Sequence, residues 1–102
     1  MLDLIEQCLT QIATICANRE VKRLELFGSA ARGGFDPETS DIDLFVEFIS
    51  YDTPTIADQW FGLQEDLESL LGRRVDLTSL RMATNPYFLQ TANRNKVMLY
   101  AA

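Results

Sequence analysis

The sequence predicts a small α/β domain, one mixed sheet of three to four strands flanked by helices. Stretches with apolar residues at the helical period interleave with short stretches that alternate at the strand period. Their order is helix, strand, turn, strand, helix, strand, helix, which is that of a single layered α/β unit. At 102 residues the chain is long enough for one packed core, and residues 1–102 are read as one domain.

The elements follow in order. Leu2, Ile5, Leu9, Ile12 and Cys16 recur at steps of three and four, so residues 2–17 are expected as one helix ended by Asn18. VKRLELF (21–27) is the first expected strand, with Leu24 and Leu26 on one side. DIDLFVEF (41–48) is the second. Ile42, Leu44, Val46 and Phe48 take one face, and Asp41, Asp43, Phe45 and Glu47 the other. Asp52, Thr53 and Pro54 announce a second helix, carried by Ile56, Trp60, Leu63, Leu67 and Leu70 and stopped by Gly72. RVDLTSL (74–80) is the third strand, with Asp76 opposite Val75 and Leu77. Asn85 and Pro86 are expected to open a short helix, and KVMLYAA (96–102) to form a last short strand or a docked tail.

Composition narrows the chemistry. The chain has no histidine, so Ser-His-Asp and Cys-His mechanisms are excluded within it and carboxylates must carry acid, base or metal work. Cys8 and Cys16, eight apart on a helix, stand ~12 Å apart along its axis, beyond the ~7 Å reach of a disulfide. Both are read as small core residues. Two cysteines without histidine do not make a zinc site. A formal charge of −6 disfavours a nucleic acid as direct substrate. Arg19, Lys22 and Arg23, and Arg73 and Arg74, form only short basic clusters. No apolar run approaches the ~18 residues of a membrane span, and MLDLIEQC lacks the pattern of a signal peptide. The expected location is the cytoplasm.

The densest chemistry lies in FGSAARGGFDPETSDIDLFVEF (27–48). Gly28 permits a sharp turn and close backbone approach to a ligand. Ser29 offers a hydroxyl, the following amides favour an anion, and Arg32 is a planar cation suited to phosphate oxygens. Asp41 and Asp43 share a strand face ~6.5 to 7 Å apart, and Asp76 joins them if the third strand pairs beside the second. Such carboxylates repel by roughly 3 kcal/mol per pair at ~5 Å and a dielectric of ~20. A compensating cation is therefore expected, and magnesium suits an all-carboxylate set with substrate phosphates. An Asp-x-Asp alone is usually a polar strand face, and a Gly-Ser alone an ordinary loop. Together, at the ends of adjacent strands, they describe a site for a nucleoside triphosphate.

GSAARG (28–33), SDIDL (40–44) and VDL (75–77), in this order, resemble the minimal nucleotidyltransferases of the polymerase-beta-type superfamily. The resemblance assigns Gly28 and Ser29 to triphosphate binding, with Arg32 as the local cation. It assigns Asp41, Asp43 and Asp76 to two magnesium ions and to catalysis, Asp76 serving the acceptor hydroxyl. Many relatives carry arginine where this chain has Ala30. The implied reaction is transfer of AMP from ATP to a hydroxyl.

The resemblance also implies a partner. Minimal nucleotidyltransferases are typically paired with HEPN-domain proteins as toxin–antitoxin modules, so the chain is expected to adenylylate a tyrosine of a HEPN RNase toxin within a hetero-oligomer. Two other readings are an antitoxin that neutralises by binding alone and a small-molecule nucleotidyltransferase of the antibiotic-modifying kind. Trp60, Phe61, Tyr87 and Phe88 are candidates for a partner surface, Trp60 being expected in the core.

Overall fold

The computed structural model of the chain describes residues 3–27, 42–79 and 97–102. Helices α1 (Asp3–Gln7) and α2 (Leu9–Asn18) lead into β1 (Val21–Phe27). Strand β2 (Ile42–Phe48), helix α3 (Ile56–Leu71), strand β3 (Val75–Ser79) and strand β4 (Val97–Ala101) follow. The strands form one mixed sheet in the order β3-β2-β1-β4. Strand β1 is antiparallel to both β2 and β4, whereas β2 and β3 are parallel and joined through α3.

The face set by alternation is the one the helices cover. Leu24, Leu26, Ile42, Leu44, Val46, Phe48, Val75 and Leu77 are buried with Ile5, Ile12, Cys16, Leu63, Leu67 and Leu71 in one core. Val21 is buried out of phase with Leu24, because the register shifts between Val21 and Arg23 and inserts one extra residue. On the opposite face Glu25 is 2% exposed, and Arg23 bridges it at 3.1 Å to the outer Glu47, also at 3.1 Å.

The first helical stretch is two helices, not one. The Cys8 N–H donates to Ile5 O at 3.0 Å, an i→i−3 bond that tightens the turn and breaks the regular ladder. The next helix also starts later than Pro54. Thr55 donates its N–H to Thr53 Oγ1 at 3.4 Å, and Ile56 bonds back to Thr53 O. This hydroxyl-supported turn occupies 53–55, and α3 begins at Ile56. It ends as expected, with Gly72 left-handed at φ 65° and its N–H on Glu68 O at 2.9 Å. The terminal segment is a strand. The short helix expected after Pro86 lies outside the described residues. No helix among the described residues is long and apolar enough to cross a membrane.

Candidate active site

Three strand ends meet at one edge of the sheet. Strand β1 ends at Phe27, which pairs with Asp43 near the start of β2. On the other side of β2, Asp43 is in parallel register with Asp76 near the start of β3. Neighbouring strands lie ~4.8 Å apart, and both aspartates point away from the buried Ile42, Leu44, Val75 and Leu77. Asp43 is half-buried and Asp76 exposed. The third strand therefore places Asp76 beside Asp43 on β2. Asp41, Gly28, Ser29 and Arg32 lie outside the described residues.

Helix α3 fixes Asp76 from behind. Strand β3 is an edge strand, so the backbone of Val75 turns one side away from β2 and needs other partners. Glu68 Oε2 accepts the Val75 N–H at 2.9 Å, and Gln64 Nε2 donates to Val75 O at 3.0 Å. On the inner side, Ile42 N–H donates to Arg74 O at 2.9 Å and ties the start of β3 to that of β2. The residues flanking Asp76 are thus held by two elements. The apolar pattern Ile56, Trp60, Leu63, Leu67 and Leu70 leaves Glu68 and Gln64 unmarked. Their spacing of four, on the side of α3 nearest Gly72, was the available signal.

Arg73 and Arg74 immediately precede β3 at this same edge, Arg74 being exposed. The sequence shows them as a short basic cluster; the parallel pairing brings their backbone beside the acidic edge. Cys16 is removed from contention as a nucleophile, since burial pushes its thiol up to about 12. Among the described residues no group of three carboxylate, thiol or imidazole side chains is placed to hold a metal ion. Asp43 and Asp76 supply two carboxylates from adjacent strands, and this oxygen donor set suits a hard ion such as magnesium.

Residues 10–102 match the family described as polymerase beta, nucleotidyltransferase. The chain belongs to that family. A relative from Methanocaldococcus jannaschii, named as a protein adenylyltransferase, is 44% identical over 68 residues, 67% of this chain and 66% of the relative. The matched stretch thus spans just under two thirds of that relative's length. A solved structure described as a minimal nucleotidyltransferase is 33% identical with a TM-score of 0.75, covering 94% of this chain and 95% of that one.

Two further solved chains of like fold come from toxin–antitoxin complexes. One, with AMP-PNP, has 24% identity and a TM-score of 0.70 over 92% of this chain and 73% of that chain. The other, a mutant of the pair MntA–HpeT, has 25% identity and a TM-score of 0.66 over 91% and 72%. The family and the mixed four-stranded sheet with flanking helices agree with the expectation from GSAARG, SDIDL and VDL.

Proposed function

We propose that this chain is a magnesium-dependent protein adenylyltransferase that moves AMP from ATP to a hydroxyl, a tyrosine, of a HEPN-domain toxin and so acts as its antitoxin. The observation that carries the reading is the parallel register of Asp43 with Asp76 at the edge where β1 ends. It is supported by relatives named for protein adenylylation and by chains of like fold from toxin–antitoxin complexes. With ATP as donor the working compartment is the cytoplasm, and the pair forms a hetero-oligomer.

The acceptor oxygen attacks the α-phosphorus, the bond from that phosphorus to the α–β bridging oxygen breaks, and pyrophosphate leaves. Asp76, exposed at the mouth of the edge, takes the hydroxyl proton. Asp41 and Asp43, with Asp76, would hold magnesium. Bound there, the ion supplies charge stabilisation for the attacking and leaving oxygens. Gly28 and Ser29, bonded directly onto the end of β1, orient the triphosphate, and Arg32 neutralises it. Residues 1–102 act as one catalytic domain, with the acceptor surface completed by the partner.

The test uses α-labelled and γ-labelled ATP with magnesium and the product of the adjacent gene. Label transferred from the α position alone, and lost with Asp41→Asn or Asp43→Asn, is the expected result. Transfer from γ overturns it in favour of a kinase. Neutralisation in cells that survives Asp43→Asn overturns the catalytic account in favour of binding alone.

A further inference from the structure

At the other end of β2 from Asp43 lies an apolar groove of about 430 Å³, lined by Tyr51, Ile56, Ala57, Trp60 and Phe61. Five steps along the strand, or ~17 Å, separate Asp43 from Phe48, and Tyr51 lies beyond. The groove is held open by contacts beneath it. Phe48 packs edge-on against Tyr51 with centroids 6.0 Å apart and lies 6.1 Å from Trp60. The Tyr51 hydroxyl shares a hydrogen bond with Ser79 Oγ at 3.1 Å and accepts the Phe48 N–H at 3.3 Å. The Tyr51 hydroxyl is therefore engaged below, and none of the described lining residues is a cation that could neutralise a triphosphate.

Phe61 stands out of this floor, 66% exposed. Asp58 three residues before it and Glu65 four after share its helix stripe, and both are exposed. Asp52, also exposed, precedes the helix. Residues 50–71 contain no lysine or arginine. Asp66 is answered by Arg19 at 2.9 Å and Glu68 by the Val75 N–H. Asp52, Asp58 and Glu65 have no such ion pair among the described residues. An apolar groove with this acidic rim, on a chain of net charge −6, selects a basic occupant and repels a second copy of itself.

We infer that this groove docks the HEPN-type partner, taking from it a bulky apolar side chain flanked by lysine or arginine. The identity of the partner rests on the proposed function; the groove and its charge do not. Docking here leaves the Asp43–Asp76 edge open and holds the acceptor hydroxyl at high effective concentration near it.

The test measures binding of a HEPN protein, the product of the adjacent gene where it is one, to the wild-type chain, Phe61→Asp, and the pair Asp58→Lys with Glu65→Lys, at low and high salt. All three positions are exposed, and circular dichroism verifies that each variant is folded. Phe61→Asp is expected to weaken binding at least tenfold. The charge-reversed pair is expected to lose affinity chiefly at low salt, whereas Asp43→Asn binds as wild type. If the wild-type pair binds and transfers label, but neither surface change alters affinity, the docking site falls and the function stands. If the wild-type chain neither binds nor modifies the HEPN protein, the proposed function falls and this assignment with it. Self-association of the wild-type chain that Phe61→Asp abolishes would give the groove to a second copy and overturn the proposal.

Discussion

Asp76 of β3 stands beside Asp43 of β2 in parallel register, at the edge where Phe27 ends β1. Two like charges on adjacent strands repel, by about 1 kcal/mol at ~5 Å in the high dielectric that applies to an exposed group. Asp76→Asn should therefore leave the fold as stable in chelator, or up to about 1 kcal/mol more stable. Magnesium should raise the melting temperature of the wild-type chain more than that of the variant, since binding to the native state is what shifts the transition. Equal shifts in both proteins would remove Asp76 from the ion's ligands. On the proposed reaction, transfer of α-label should fall by about a hundredfold or more when Asp76 can no longer take the hydroxyl proton.

Glu68 should matter to Asp76 without touching substrate. Its carboxylate holds the Val75 N–H at 2.9 Å, a charge-assisted bond on an edge strand. Glu68→Ala should cost about 1.5 to 3 kcal/mol in urea unfolding. The same change should speed amide exchange at Val75 more than at Leu44 in the neighbouring strand. If Val75 exchange is unchanged, Glu68 does not fix the start of β3.

Cys16 sets an alkaline limit. Its thiol is held protonated by burial up to about 12, against 9.0 for an ordinary thiol. Above pH 9 the unfolded chain loses a proton that the native chain retains, so stability falls as pH rises. The loss is about 1.4 kcal/mol per pH unit between 9 and 12 and is absent below 9. Cys16→Ala should remove this slope while lowering stability at neutral pH through the cavity it leaves. At pH 8 a thiol reagent should modify the half-buried Cys8 and spare Cys16 until the chain unfolds.

The alternation in VKRLELF and DIDLFVEF made the core face of the sheet legible, because a strand buried on one side must repeat every second residue. The conditional reach of Asp76 was legible too, since a helix between two strands favours a parallel crossover. What escaped depends on single hydrogen bonds that periodicity does not encode. Apolar steps of three and four run through Cys8 unchanged, yet its i→i−3 bond divides the helix. Thr53 is a helix-start residue in pattern, but its hydroxyl serves the turn before Ile56 instead. The holding of Val75 by Gln64 and Glu68 needed the position of α3 over the edge strand. Of the six candidate site residues, only Asp43 and Asp76 fall among those described.

Gly62 offers a test in which two small effects oppose. It sits inside α3, where glycine costs about 1 kcal/mol relative to alanine. A methyl group there would meet the guanidinium of Arg19, which crosses Gly62 to reach Asp66. That guanidinium is the far end of a flexible side chain and is about a third exposed, so it can swing away. The resulting loss is one part-exposed ion pair, about 0 to 1 kcal/mol. Helix propensity therefore equals or exceeds the loss, and Gly62→Ala should be neutral or stabilising by up to about 1 kcal/mol. In an Asp66→Ala background the pair is already absent, so the same substitution should stabilise more. A drop of several degrees in melting temperature in both backgrounds would mean that Arg19 cannot leave its place.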